Sequence, residues 1–318
     1  MSAPIYTRVV GIDIAQSDLV IGASFDFKRS ICKNDPSGIA RLTADLVGVK
    51  PDLVLFEASG GYERPLAKSL HAAGVRLHLA DPYRVREFAN GMGFDAKTDR
   101  IDAKKALVEY GLKKCPQPTP EPDQAIEQID ELRVRSRQLI DIRSAEKNRL
   151  ATAPESTRED ITDHIAWLDK KIRNLQGQIA DKIKASPELK ETAEIIGSAP
   201  GIGPSTTATL ISGLPELAYL GHKQLAALVG VAPRVKDSGK HKGKRFIKAG
   251  RSDVRTALYI AVLTTIRISS QFREYYQHLL SKGKAKKLAI IACVRKLLTI
   301  LSVMVKRNEK WCPDACGA

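Results

Sequence analysis

The sequence predicts a chain in three parts: an α/β domain, a helical coiled-coil arm, and a mainly α C-terminal domain. Three observations predict it. Strand-length apolar runs alternate with amphipathic helices up to residue 115. A proline-rich stretch, Pro116 to Pro122, then closes that half as a stiff, extended linker. Beyond it, apolar positions recur every three or four residues over long spans. The expected boundaries are 1–115, a linker at 116–122, an arm at 123–190 and a C-terminal domain at 191–318.

The first strands fall at 8–15, 19–25 and 28–33, joined by Gln16-Ser17-Asp18 and Asp26-Phe27. Pro36-Ser37-Gly38 opens a helix carrying Ile39, Leu42, Leu46 and Val47. Pro51-Asp52 begins the strand that ends at Glu57, and Ser59-Gly60-Gly61 turns the chain. A helix at 62–73 ends at Gly74, a strand follows at 75–80, and helices follow at 82–91 and 99–111. Strand meander, helix, strand, helix, strand, helix is the order of a ribonuclease-H-like α/β domain. The glycines of Gly91-Met92-Gly93-Phe94 give the segment before the last helix backbone freedom, so Asp99 and Asp102 are expected to order only with metal or substrate bound.

Four acids in this domain sit where a metal-dependent nuclease needs them. Asp13 interrupts the apolar run Val9 to Ala15, and Glu57 ends the run Leu53 to Phe56. Asp99 and Asp102 are three residues apart, hence on one face of a helix. Carboxylates in buried strands are costly unless paired or metal-bound. Oxygen-only ligands suit Mg²⁺, and two such ions about 4 Å apart serve phosphoryl transfer. The plain alternative is that Asp13 caps a turn and the other acids cap or decorate helices.

The 318 residues carry a net charge of +15 and a pI near 9.6. Such a surface attracts polyanions and binds phosphates with release of counterions. Aromatics at 5% are too sparse for a base-stacking platform. No signal-peptide pattern or uninterrupted apolar run of about 18 residues is present, so a cytoplasmic protein without a membrane partner is expected. Cys32, Cys115, Cys293, Cys312 and Cys316 are scattered and odd in number, which suits reduced thiols. The Cys312/Cys316 pair has no second pair or His to complete a zinc site, and reads as a frayed tail.

In the second half, 123–150 and 160–184 read as long helices broken at Ala153-Pro154-Glu155-Ser156-Thr157. Ile161, Ile165, Leu168, Ile172, Leu175, Ile179 and Ile183 repeat as a coiled-coil seam, so an antiparallel arm is expected. Ser198 to Ala208 resembles a helix-hairpin-helix turn, where Gly201 and Gly203 would let backbone N–H groups approach a phosphate. A short amphipathic helix is expected at 223–229. From Lys236 to Arg255 there are eight Lys or Arg against two acids, with glycines at 239, 243 and 250 suggesting a loop that moulds to a nucleic-acid backbone. Ser238 amid these cations is either a turn residue or a nucleophile whose alkoxide the positive charge favours. His241 is close in sequence, but a lone loop His is usually solvated. Arg234, Lys236, Lys240, Lys244, Arg245 and Arg251 are the candidate phosphate contacts. Apolar helices at 256–268 and 286–306 close the chain, with a basic run from Lys282 to Lys287 between them.

Gly11-Ile12-Asp13, Glu57-Ala58-Ser59-Gly60, Lys97-Thr98-Asp99-x-x-Asp102-Ala103, Pro200-Gly201-Ile202-Gly203, Gly230-Val231-Ala232-Pro233 and Ser238-Gly239 occur in one order. This ordered set, over about residues 7–305, resembles the DEDD transposases of the insertion-sequence one-ten family, which include the bridge-RNA-guided recombinases. The resemblance implies a RuvC-like domain whose Asp13, Glu57, Asp99 and Asp102 bind Mg²⁺. It implies that the coiled-coil arm serves in assembly and that Ser238 forms a covalent phosphoserine link to DNA. It further implies donor and target DNA as substrates, a structured non-coding RNA that pairs with both, and a homo-oligomer, a dimer assembling to a tetramer, combining acids and serine across subunits. Such an enzyme would be cytoplasmic and nucleoid-associated when bound to DNA. Two other readings of the same residues remain: a Holliday-junction-type nuclease using water, and a non-catalytic nucleic-acid-binding protein.

Overall fold

The computed structural model describes residues 5–93, 100–233, 247 and 250–312, with side chains of the helix that starts at Arg100 from Lys105 onward. The described chain divides into two compact units, Met1–Glu121 and Pro122–Ala318.

The first unit is built on a five-stranded sheet in the order β3-β2-β1-β4-β5. Strands β1 (Val9–Ile14), β2 (Asp18–Ala23) and β3 (Ile31–Lys33) form an antiparallel meander. Strands β4 (Leu53–Glu57) and β5 (Leu77–Ala80) add in parallel, with α1 (Pro36–Val49) and α2 (Arg64–Ala72) as crossovers. Helices α3 (Pro82–Gly91) and α4 (Arg100–Lys114) complete the unit. Residues 28–30, expected in the third strand, lie outside β3, and α4 runs a turn beyond the expected 111.

Strand alternation sorts the side chains. Val10, Ile12, Val54 and Phe56 pack with Ile39, Leu42 and Leu46 of α1 and with Leu66 and Leu70 of α2. Val9, Leu53 and Leu55 face the other way, into a core with Val85 and Ala89 of α3 and Ala106, Leu107 and Tyr110 of α4. Helix α1 starts where Pro36 supplies the first turn and the Asp35 carboxylate accepts the Gly38 N–H. Asp81 does the same for α3, accepting from Tyr83 N–H.

The stretch expected to be a linker is bound to the sheet along part of its length. Thr119 N–H donates to Leu77 O at 2.7 Å, and Thr119 Oγ1 accepts from Leu79 N–H at 2.9 Å. These bonds cover the free edge of β5.

The second unit is helical. Helices α5 (Gln124–Thr152) and α6 (Glu155–Ala185) form an antiparallel hairpin. Lys182 bonds Gln128 and Arg143 bonds Asp169, so the two sequences run in opposite directions. The turn is only Ala153-Pro154, and Glu155 to Glu159, expected outside, form the first turns of α6. Leu168 and Ile172 are buried against Leu139, while Ile179 and Ile183 enter the main core with Ile129.

That core is gathered around α12 (Lys286–Arg307), whose Cys293, Val294, Leu297, Leu298 and Leu301 are fully buried. Helix α12 is long and apolar enough to span a membrane by length and composition, yet these residues make it the central core helix. Packed with it are α7 (Pro187–Gly197), α8 (Pro204–Gly213), a 3₁₀ turn Pro215–Ala218, α9 (His222–Val229) and α10 (Ser252–Ile268). Helix α11 (Ser270–Ser281) was not foreseen, and its Phe272 is fully buried. Burial pushes the Cys293 thiol up to about 11, as befits an inert core cysteine.

Candidate active site

The register of β1 on β4 creates the site. Ile12 pairs with Phe56, and the next residues along each strand are Asp13 and Glu57. By alternation both carboxylates share the face of Val9, Leu53 and Leu55, the face α4 covers. Both are half-buried at the C-terminal ends of adjacent parallel strands, the usual site position in α/β sheets.

Helix α4 crosses this face closely. A Cβ at Gly111 would lie 2.6 Å from Leu55 Cδ1 and 2.7 Å from Val9 Cγ1, so the helix meets the sheet where that residue has no side chain. After Gly111 the chain continues toward the start of β1, where Tyr6 Oη donates to Pro116 O at 3.1 Å. Helix α4 therefore runs antiparallel to β1, with its N-terminal half toward Asp13. Asp99 lies outside the described residues, and Asp102 is described only as a backbone position of α4.

Electrostatics mark Glu57 as a half-buried carboxylate with a second negative charge beside it. Glu57 is held above the ordinary carboxylate range, first by burial, then by the Asp13 charge and by Asp81, with Arg86 opposing. Asp81 and Arg86, which act on Glu57 at the end of β4, were not singled out in the sequence. Their proximity comes from β5 pairing with β4, with Glu57 opposite Ala80. Like-charged carboxylates forced together in a half-buried site suit a hard cation with oxygen ligands. Among the described residues no group of three or more acids, His or Cys forms a complete metal cage.

In the second unit, Ser238, His241, Arg234, Lys236, Lys240, Lys244 and Arg245 lie outside the described residues, as does Cys316. The described residues on either side of that stretch pack together. Gly230 and Gly250 meet backbone to backbone: a Cβ at Gly250 would lie 2.5 Å from Gly230 N, and Gly250 has φ +85°. Arg251 N–H donates to Leu228 O at 2.9 Å, and Arg255 reaches Val229 O at 3.2 Å. Gly250, expected to lend the loop freedom, is a packing glycine at its base.

Arg251 is also engaged internally. Its guanidinium forks onto both carboxylate oxygens of Glu216, with the Nη2–Oε1 contact at 2.6 Å, and bonds Gly213 O at 3.0 Å. Arg251 and Gly213 line a cleft of about 510 Å³ with Asp130, Arg133 and Asp253. Gly201 has φ +82° and is pressed on α10, since its Cβ would lie 2.6 Å from Thr265 Oγ1. Gly203 is open, with nothing within 4 Å of a Cβ, at the N-terminus of α8. The glycine at 201 thus has a packing reason of its own, apart from any phosphate.

Comparison with known proteins now bears on this arrangement. A family model described as "Transposase" matches residues 10–155, the span that carries the acids and the first arm helix. A second, described as "Transposase IS116/IS110/IS902 family", matches residues 193–277, around the basic loop. The pilin gene-inverting protein of Moraxella bovis is 30% identical over 314 residues, covering 94% of this chain and 96% of its own length. This chain belongs to the IS110 family of transposases. The Moraxella lacunata pilin gene-inverting protein is likewise 30% identical over 314 residues. The uncharacterised 42 kDa protein of insertion element IS900 from Mycobacterium paratuberculosis is 31% identical over 161 residues, 48% of this chain and 40% of its own. The IS110-family chain is therefore a DNA transposase/recombinase enzyme with DNA substrates, and the reading as a binding protein without chemistry is set aside.

Proposed function

We propose that this transposase cuts and rejoins DNA using Mg²⁺ held by Asp13, Glu57, Asp99 and Asp102, with Ser238 as the nucleophile. The observation that carries the reading is that Asp13 and Glu57 follow the Ile12–Phe56 pair at the C-terminal ends of adjacent parallel strands, beneath an antiparallel α4. Nine residues of helix, from Gly111 back to position 102, rise about 13 Å. Four residues of strand, from Val9 to Asp13, rise roughly the same. Position 102 therefore comes level with Asp13 on the face the two acids share, which supports a common site.

Bound there, Mg²⁺ would polarise the scissile phosphate and neutralise charge as it builds up. Ser238 Oγ gives up its proton and forms a bond to phosphorus as the P–O bond to the departing sugar oxygen breaks, and that oxygen takes up a proton to leave as a hydroxyl. One phosphodiester is exchanged for another, so the link can be resealed without an external energy source. The basic run from Lys236 to Arg245, with Arg234, holds the DNA backbone by charge. A structured RNA encoded by the element pairs with donor and target DNA, which accounts for abundant phosphate-binding charge with few aromatics. The chain works as a homo-oligomer, a dimer assembling to a tetramer, through the α5–α6 arm.

Strand-exchange assays on DNA carrying the element ends, with and without that RNA, test this reading. Asp13→Asn, Glu57→Gln, Asp102→Asn and Ser238→Ala should each abolish exchange while keeping DNA binding. Ser238→Ala protein that still cleaves DNA would instead mean that water is the nucleophile, and RNA-independent exchange would remove the guide.

A further inference from the structure

Two side chains outside the acid set tie together the chain segments that follow Asp13 and Glu57. Asn34, in the bend between β3 and α1, donates its side-chain amide to Ala15 O at 2.9 Å and to Tyr62 O at 3.3 Å. Ala15 lies two residues past Asp13, and Tyr62 lies in the turn past Glu57. The Asn34 backbone N–H adds a bond to Ser17 O at 2.9 Å. The second is Glu63, only 8% exposed. Its Oε2 accepts from Ser59 N–H at 2.9 Å, Ser59 Oγ at 2.8 Å and Gly61 N–H at 2.9 Å. Burial alone would raise the Glu63 pKa, but hydrogen bonds from its own backbone N–H, from Ser59 and from Gly61 outweigh it and hold the group below the ordinary range, as an anion.

The functional acids need this support. Asp13 and Glu57 repel each other, and the β1–β4 pairing stops one residue short of them, at Ile12 and Phe56, although Asp13 still pairs with Val20 of β2 and Glu57 with Ala80 of β5. We propose that Asn34 and Glu63 are positioning residues: Asn34 bridges the two strand-end segments, and Glu63 locks the turn after β4, fixing Asp13 and Glu57 at the separation a divalent cation requires. This rests on the metal-binding reading of those acids. The side-chain bonds of both residues go to the chain itself. Their effect runs through the acids, as outer-shell partners tune a metal site.

Mn²⁺ binding to the full-length protein without nucleic acid, followed by calorimetry, tests this directly. Asn34→Ala and Glu63→Ala should weaken Mn²⁺ binding about tenfold, the lower end of outer-shell effects. Glu63→Gln keeps an acceptor oxygen for the same three donors and should restore most of the affinity. The metal-free circular dichroism of Asn34→Ala should match the wild type, since the residue is half-buried at the surface. If Glu63→Ala fails to fold, Asn34→Ala carries the test alone. Wild-type affinity in Asn34→Ala would overturn the proposal. A separate control, Asp13→Asn binding Mn²⁺ as tightly as the wild type, would overturn the metal reading itself.

Discussion

Glu57 sits among charges of its own sign, and that has a measurable consequence. A carboxyl whose folded-state pKa lies above its unfolded value, about 4.3, favours the fold below that value. The advantage is lost as pH rises through the raised one. In metal-free protein, Glu57→Gln should therefore raise Tm at about pH 7.5 and leave it nearly unchanged at about pH 4. The gain should be no more than a few degrees, because a half-exposed group is screened by solvent. The same Tm difference from the wild type at both pH values would mean that neither burial nor the Asp13 charge raises the Glu57 pKa. The same proton competes with the metal, so Mg²⁺ affinity should fall as pH drops through the raised pKa. Asp13 and Glu57 were legible in the sequence because each breaks an apolar strand, and a fixed alternation then puts both on one face. Arg86 and Asp81 were not, because only strand pairing brings them to Glu57. Arg251 counted in the sequence as one cation among eight, and its partner Glu216 is 35 residues away.

At the scale of elements, the sheet and its helices follow directly from local chemistry. Prolines and aspartates open α1 and α3, and apolar spacing fixes their buried sides. What local pattern could not reveal was the use of three glycines. Gly111, Gly201 and Gly250 matter for what they touch: Val9 and Leu55, Thr265, and Gly230. Helix α11 escaped because Ser269-Ser270 and a polar, aromatic sequence hide a helix anchored by Phe272 and Leu279. Gly111→Ala tests the packing that lies on the acid-bearing strands. A new methyl 2.6 Å from Leu55 Cδ1 must displace the buried Leu55 and Val9 side chains or lift α4 from the site-bearing strands. The variant should lose about 1–3 kcal/mol in urea denaturation, although alanine favours a helix by roughly 1 kcal/mol over glycine. A stabilised variant would show that α4 does not lie tightly on the sheet. Loss of activity beyond the loss of folded protein would tie this packing to the acids.

For the whole molecule, the +15 charge predicts how binding responds to salt. DNA affinity should fall linearly on a double-logarithmic plot, with a slope set by the number of phosphates neutralised. Lys236→Ala, Lys240→Ala and Lys244→Ala should each flatten that slope by about one unit. Arg251→Ala should leave the slope unchanged and instead lower stability, because its guanidinium is spent on Glu216 and Gly213. A slope change in Arg251→Ala would show that the ion pair opens on DNA. Composition made the polyanion partner legible. It could not show which cations stay free for it, since that depends on long-range partners.

The most direct test of the central claim is covalent capture. Protein, the RNA encoded beside its gene and labelled cognate DNA would be combined with Mg²⁺, denatured and resolved on a gel. The account predicts a DNA-linked protein band in the wild type that is lost in both Ser238→Ala and Asp102→Asn. Cleaved DNA with no linked protein, or a link that persists in Ser238→Ala, would contradict it.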